Sequence, residues 1–260
     1  VSLSSDGTII AIGAPTNDGN GADSGHTRVY EYDGSSWNQL GADIDGEAMF
    51  DQSGMAVALS SDGTTVAVGA SGNSGNGAQS GHVRVYRNIA GTWTKLGADI
   101  DGEAEGDVSG SSVAISSDGT TVAIGAPFND GAGNSAGQVR VYKYSNSSWT
   151  KIGADIDGNA AFDGSGRSVA ISSDGTIVAV GAPQSSMFSS EKGFVKLYTN
   201  LSGTWTLIGQ KIDGEASGDA SGSSVAISSN GTIVGIGAPA NSGVNGSYSG
   251  QVRVYLNTGF

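Results

Sequence analysis

The stretch SSVAISSDGTTVAIGAP, from Ser111 to Pro127, decides the fold of this chain. Nearly the same sequence occurs at Ala56–Ser71, Ser168–Pro183 and Ser224–Pro239. The Ser-Ser-Asp-Gly or Ser-Ser-Asn-Gly word at the centre begins at residues 4, 60, 116, 172 and 228, which is a constant step of 56 residues. A fixed period of this length is typical of proteins built from stacked structural repeats.

One repeat contains four strand-like runs, at Ser112–Ser116, Thr121–Ala126, Gln138–Tyr144 and Trp149–Ile156. The first two runs are joined by an Asp-Gly pair, which is a strong hairpin signal because glycine accepts the positive φ of a tight turn. The third run is rich in β-branched and aromatic residues, and no run has a helical period. We therefore expect each repeat to be a four-stranded antiparallel meander.

Repeats of four strands and more than about 40 residues are typical of β-propellers, in which blades stand around an axis. A linear β-solenoid is the competing fold, but its coils are usually shorter than 56 residues and lack alternating tight hairpins and long loops. We predict an all-β, five-bladed β-propeller forming one domain, residues 1–260, whose fifth blade lacks its outer strand. The expected repeats are approximately 1–56, 57–112, 113–168, 169–224 and 225–260.

The amino-acid composition excludes or disfavours several classes of function. The chain has no cysteine, so disulfides, thiol catalysis and cysteine-bound metals are excluded. A formal net charge of −13 disfavours nucleic-acid partners and anionic membranes, and no apolar run reaches the length of a membrane span. Val1 is not an initiator methionine, and we interpret the chain as a mature or excised segment.

The words Gly110–Ile115, Val122–Pro127 and Gly137–Tyr142 resemble the FG-GAP repeat of integrin-α-type β-propellers. The resemblance covers nearly the whole chain and implies an extracellular recognition or adhesion module without catalysis. FG-GAP repeats often carry a calcium loop between the first two strands, but here that connection is only Ser116–Thr120. One aspartate cannot supply the six or more oxygen ligands of calcium, so we expect a turn role for Asp6, Asp62, Asp118, Asp174 and Asn230.

Calcium remains a candidate cofactor at a different place, after the tryptophan strand, although none is required. There the word Asp-Ile-Asp-Gly is followed by a further aspartate, and such oxygen ligands can converge on a calcium ion. The alternative is a turn between blades whose acids are solvated or paired with the basic residue of a third strand. The candidate ligands are Asp43, Asp45, Asp51, Asp99, Asp101, Asp107, Asp155, Asp157 and Asp163.

The loop between the second and third strands varies most from one repeat to the next, while the strand words stay fixed. Binding surfaces are often built in this way on a rigid scaffold, although unselected loops drift similarly. The candidate ligand-binding residues are Asn17, Asp18, Phe128, Asn129, Asp130, Met187, Phe188 and Tyr248.

The sequence contains few residues in arrangements that support catalysis. His26 and His82 are the only histidines, they occupy equivalent positions, and no serine stands in a nucleophile motif. We therefore predict a non-catalytic, secreted or cell-surface binding or adhesion module for a protein or glycan ligand. The alternative is a structural subunit that binds other copies of itself through the open edge of the fifth blade, forming a filament or matrix.

Overall fold

The computed structural model describes residues 1–183, 192–243 and 246–257. Within these residues the regular structure is entirely β, with strands joined by turns and loops. The described residues include no helix that is long and apolar enough to span a membrane. The predicted all-β class is confirmed.

The strands form five antiparallel sheets, one for each repeat. In the first sheet β1 (Ser2–Leu3), β2 (Ile9–Ala14), β3 (His26–Tyr32) and β4 (Trp37–Gln39) are neighbours in that order, and β5 (Ile44–Asp45) also pairs with β3. The second sheet contains β6 (Ser53–Leu59), β7 (Thr65–Ala70), β8 (His82–Ile89), β9 (Thr92–Lys95) and β10 (Ile100–Asp101).

The third sheet contains β11 (Ser112–Ile115), β12 (Thr121–Ala126), β13 (Gln138–Ser145), β14 (Ser148–Lys151) and β15 (Ile156–Asp157). The fourth contains β16 (Ser168–Ile171), β17 (Ile177–Ala182), β18 (Phe194–Leu201) and β19 (Thr204–Asp213). The fifth contains β20 (Ser224–Ile227), β21 (Ile233–Ala238) and β22 (Gln251–Leu256).

The chain divides into two compact units. Unit 1 consists of Val1–Ile124 and Tyr142–Thr150, and unit 2 consists of Gly125–Val141 and Lys151–Phe260. The first and second sheets belong to unit 1 and the fourth and fifth to unit 2, while the third sheet has residues in both.

The predicted strands are confirmed to within a residue or two, apart from the fourth. The run predicted at Trp149–Ile156 is two short strands, β14 and β15, that pair with the same neighbour β13 and are separated by residues 152–155. The first two sheets have the same interruption, and in the fourth sheet it is a bulge within the continuous strand β19. A bulge inserts extra residues into one strand and changes the direction of their side chains.

The Ser-Ser-Asp-Gly word forms the hairpin that the sequence predicts. Asp118 Oδ1 accepts hydrogen bonds from Ser116 Oγ at 2.6 Å and from the Thr120 backbone N–H at 2.9 Å. Gly119 has a φ of +68°, which glycine adopts without steric strain. Asp6, Asp62, Asp174 and Asn230 accept the equivalent bonds, so the predicted turn role is confirmed at all five positions.

Neighbouring sheets within a unit pack apolar faces against each other. In unit 1, Val83 and Val85 of β8 are fully buried in a cluster with Val122 and Ile124 of β12. In unit 2, Val195 of β18 packs in the same way in a cluster with residues of β21. Burying a valine or isoleucine side chain contributes roughly 1.5–3 kcal/mol, so these clusters are the main cohesive term between sheets.

The repeating tryptophan adds a directional bond between neighbouring sheets. Trp93 Nε1 donates to the Leu40 carbonyl at 2.7 Å, and Trp149 Nε1 donates to the Leu96 carbonyl at 2.7 Å. In unit 2, Trp205 Nε1 makes the same bond to the Ile152 carbonyl at 2.8 Å. Each of these carbonyls belongs to the interruption of the preceding sheet, so the interruption also provides the acceptor for the next repeat.

Replacing Trp149 by phenylalanine keeps an aromatic ring beside Tyr144 but removes the donor to Leu96. We expect the free energy of unfolding to fall by about 1 kcal/mol, the usual net contribution of one hydrogen bond. Urea denaturation followed by circular dichroism measures the change. Trp37→Phe is the matched control, because Trp37 also lies beside a tyrosine but donates no hydrogen bond within the described residues. Equal losses in the two variants would show that the bond to Leu96 is unimportant.

Candidate functional site

A basic residue near the start of the third strand faces the interruption of the fourth strand. In the first sheet β4 ends at Gln39 and β5 begins at Ile44, and the residues between them include Asp43. Arg28 Nε lies 3.0 Å from each carboxylate oxygen of Asp43, and its NH2 group donates to Oδ2 at 2.8 Å. The interruption thus presents an acid to the arginine of its own repeat.

In the second sheet the basic residue also bonds to the preceding repeat. Arg84 is mostly buried and donates to Asp99 at 2.7 Å, and it forms a second ion pair with Glu47. Burial acts against the charge of Arg84, but the hydrogen bonds to both carboxylates outweigh it and raise the arginine pKa. The same link occurs in unit 2, where Arg253 lies 3.8 Å from Glu215. The alternative that the sequence left open, acids paired with third-strand basic residues, is therefore present in both units.

The two histidines begin the third strands, as expected, and both are buried next to these ion pairs. His26 Nδ1 lies 3.8 Å from Asp43 Oδ2. Burial lowers the pKa of His82, and the charge of Arg84 lowers it further. His82 is therefore neutral near pH 7.

Two histidine-containing groups in the described residues place potential ligand atoms within 4.8 Å of one another: His26 with Asp43 and Asp45, and Glu47 with His82 and Asp99. Calcium prefers six to eight oxygen ligands. Each group offers few oxygens, and an arginine already bonds to Asp43 in the first group and to Glu47 and Asp99 in the second. These residues do not fit a calcium ion, and calcium binding stays a prediction that the ion pairs disfavour.

The other candidate calcium ligands also have partners within the protein. Asp155 pairs with Lys151 at 2.7 Å, and Gln138 donates to Asp157 at 3.2 Å. Asp51 and Asp163 are buried and accept hydrogen bonds from backbone N–H groups three and four residues earlier. Asp107 accepts from the Ala104 N–H at 3.0 Å, and Asp101 lies opposite His82 in the strand register.

Most of the candidate loop residues shape their own loops. Asn17 and Asn129 each accept a hydrogen bond from the backbone N–H two residues later, and Asn129 is buried. Asp18 and Asp130 accept from N–H groups five residues later. Tyr248 is highly exposed, and Met187 and Phe188 lie outside the described residues.

Phe128 differs from the other loop residues because it lines a cleft in unit 2. The cleft has a volume of about 310 Å³, and Phe128 is 40 % exposed at its wall. Arg167 is also exposed there, and no hydrogen bond or ion pair involves its side chain within the described residues. The remaining lining residues are Pro127, Gly164, Pro183, Ala220 and Ser223.

The two distinctive residues of this cleft depart from the repeat. Residues equivalent to Arg167 in other copies are Met55, Ser111 and Ser223, and those equivalent to Phe128 include Thr16 and Gly72. Phe128 was predicted from the sequence, but Arg167 was not. The signal was present, because Arg167 is the only charged residue at its position among the repeats. Its proximity to Phe128 depends on loops that are almost 40 residues apart in the chain.

Solved structures of low sequence identity share the fold. A periplasmic gluconolactonase of Pseudomonas aeruginosa aligns with 90 % of this chain at 16 % identity and a TM-score of 0.59. A putative TolB of Agrobacterium tumefaciens aligns with 98 % of it at 11 % identity and a TM-score of 0.55. The chain spans 63 % of the gluconolactonase and 75 % of the TolB structure. No curated protein matches the chain by sequence.

These likenesses correct the functional prediction. The sequence analysis excluded catalysis and predicted an adhesion or glycan-binding module, or a filament subunit, because its repeats resemble those of integrin-type propellers. The exclusion was wrong, because a gluconolactonase, which is an enzyme, has a similar fold. The similar structures also give no support to adhesion, glycan binding or a filament role.

Asp99→Asn tests the ion pairs around Arg84. Burial raises the pKa of Asp99, but hydrogen bonds from Arg84 and Lys95 outweigh it and hold the value at about 2, below the ordinary 3.8. A lowered pKa stabilises the fold above about pH 4, and this contribution is lost as the pH falls through 2. We expect the variant to be less stable at pH 7 by roughly 2 kcal/mol, with the difference shrinking towards pH 2.

Denaturant titrations at several pH values measure this difference. Glu105→Gln is the control, because Glu105 is exposed and makes no ion pair within the described residues. A loss of stability for Asp99→Asn that is independent of pH would contradict the ion-pair explanation.

Residues 94–142 match the model of the FG-GAP repeat. This range includes the words Gly110–Ile115, Val122–Pro127 and Gly137–Tyr142, on which the resemblance was based. The resemblance is confirmed, and the chain carries an FG-GAP repeat on a β-propeller fold.

Proposed function

We propose that the cleft of unit 2 binds a small organic anion that joins a carboxylate to an apolar body. The observation that carries the proposal is the guanidinium of Arg167, which has no hydrogen bond or ion pair within the described residues, beside the exposed ring of Phe128. Arg167 is the only charged residue and Phe128 the only aromatic residue at their positions among the repeats, and both line the same cleft.

The chemistry of the lining residues supports an anionic ligand. Arginine presents two parallel N–H donors to a carboxylate, which adds both strength and orientation. The chain as a whole is strongly acidic, with a formal net charge of −13, so an arginine without a carboxylate partner among the described residues is a local exception. A ligand carboxylate at Arg167 would therefore bind to a cation that has no partner among the residues the structure describes.

The shape of the cleft limits the ligand to a small molecule. Its volume of about 310 Å³ lies at the lower end of the range for ligand pockets. Pro127, Pro183 and Phe128 provide apolar wall, while Ser223 donates its hydroxyl to the Ala220 carbonyl at 2.7 Å and keeps an acceptor free. An aromatic or alicyclic acid fits this combination of an apolar wall and one cation.

Isothermal titration with benzoate tests the proposal, with benzamide as the neutral ligand of the same shape. We expect benzoate to bind more tightly than benzamide, and Arg167→Gln to weaken benzoate binding by at least about tenfold, because a charge-assisted hydrogen bond contributes more than 1.4 kcal/mol. Arg87→Gln is the control, since Arg87 lies in unit 1 and bonds to Thr65 Oγ1. Equal binding of benzoate by both variants would overturn the proposal.

A second candidate function is hydrolysis of a lactone in the same cleft. It is favoured by the likeness to a gluconolactonase over 90 % of this chain. In lactone hydrolysis water adds to the carbonyl carbon, the ring C–O bond breaks, and the ring oxygen takes a proton. The product is a hydroxy carboxylate, and Arg167 is placed to stabilise negative charge on the reacting carboxyl oxygens.

A pH-stat assay with glucono-1,5-lactone tests this candidate by titrating the acid that is released. We expect the wild-type chain to accelerate hydrolysis above the spontaneous rate, and Arg167→Gln to lower the enzymatic rate by at least about tenfold, the lower range for losing one charge-stabilising donor. Arg87→Gln again serves as the control. A wild-type rate equal to the spontaneous rate would contradict lactone hydrolysis as a function. The calorimetric titration would still decide the binding proposal.

We also propose two features that the sequence predicts. The five sheets are five blades of one propeller, and the protein acts outside the cytoplasm. The periplasmic location of the gluconolactonase supports the second statement. A secreted location stays a prediction.

A further inference from the structure

The fourth sheet reverses the charge pattern of the other sheets at the strand interruption. Its third-strand basic residue is Lys196, equivalent to Arg28 and Arg84. Lys211 stands where the other repeats have Asp43, Asp99 and Asp155, and Asn159 stands where the preceding repeats have Glu47 and Glu103. Both carboxylates that neutralise the buried arginine of the second sheet are therefore replaced in the fourth.

The strand register places Lys211 in a bulge opposite Lys196. In the register of β18 with β19, Val195 lies opposite Ile212 and Leu197 lies opposite Ile208. Residues 209–211 therefore bulge opposite Lys196 alone. The Nζ atoms of Lys196 and Lys211 lie 5.4 and 5.2 Å from the centre of the Phe194 ring.

Lys196 is the member of this pair that has no hydrogen-bond acceptor within the described residues. It is 8 % exposed, and within the described residues its ammonium makes no hydrogen bond or ion pair. Lys211 is more exposed and bonds to Asp213 at 2.9 Å. An ammonium group has three donors, and the π face of Phe194 attracts charge without accepting a conventional hydrogen bond.

A buried charge without hydrogen-bond partners is unstable unless another group compensates it. Burial lowers the pKa of Lys196 and the charge of Lys211 lowers it further, while Asp163 raises it. An anion beside the two ammonium groups would supply the charge and acceptors that Asp99 and Glu47 supply in the second sheet.

We propose that a small oxyanion, such as phosphate, sulfate or a carboxylate group, binds between Lys196 and Lys211 in the fourth sheet. The anion replaces the two carboxylates that this repeat has lost. The site is separate from the proposed cleft at Arg167, because it has no lining residue in common with it.

Lys211→Asp is the sharpest test, because it restores the residue of the other repeats. Thermal unfolding of the wild-type chain is measured in sodium phosphate and in sodium chloride of matched ionic strength. We expect phosphate to raise the unfolding midpoint of the wild type. The variant supplies its own carboxylate to Lys196, so we expect it to bind phosphate at least about tenfold more weakly.

Lys143→Asp is the control, since it makes the same change of charge at a lysine of unit 1 that already pairs with Asp118. This control is expected to keep the response to phosphate. An equal response in wild type and Lys211→Asp would overturn the proposal, because phosphate would then be acting elsewhere, for instance at Arg167.

Nuclear magnetic resonance of the lysine Nζ groups gives a second measurement that needs no variant. A bound oxyanion stabilises the charged form, so we expect added phosphate to raise the pKa of Lys196. A Lys196 titration curve that is the same with and without phosphate would also overturn the proposal.

Discussion

The interaction on which the rest of the structure depends is the burial of one aliphatic sheet face by the next sheet. Two equivalent pairs of valines, in the second and fifth sheets, show the effect of this burial. Val83 and Val85 are fully buried in unit 1, whereas the equivalent Val252 and Val254 of the fifth sheet are 74 % and 68 % exposed. The difference lies in the neighbour and not in the residues, because a single meander has no second layer to cover its face. Each repeat is therefore stable only as part of a stack.

Packing of apolar faces leaves two sheets free to slide, and the strand interruption restricts that freedom. It provides the carbonyl to which the next tryptophan donates and the acid that binds the third-strand arginine. Arg84 also reaches Glu47 of the preceding repeat, so the ion pair crosses the same boundary as the tryptophan bond. Directional contacts of this kind set the register of the sheets, while the aliphatic clusters supply most of the cohesion.

The period and the alternation of apolar residues were sufficient to predict the strands, because both depend on local geometry. The Asp118–Gly119 turn and the run at Thr121–Ala126 were predicted correctly for this reason. The split of the fourth strand was missed, although Gly153 marks it in the sequence. This glycine has a φ of +71°, and an isolated glycine within a strand-like run often indicates a bulge. Arg167 was missed because its meeting with Phe128 is made by two distant loops.

Repetition itself explains why the candidate sites lie at departures from the pattern. A residue that holds two sheets together has the same task in every copy, so a change there breaks a contact that recurs along the chain. Arg167 and Phe128 occupy positions where the other copies have residues as different as methionine, serine, threonine and glycine, which indicates that no inter-sheet contact fixes them. Lys211 differs from Arg167 and Phe128, because it replaces an acid that bonds to arginine in the first two repeats. Such a change leaves a buried cation without the carboxylates of the other repeats, and the proposed anion would compensate it without altering the scaffold.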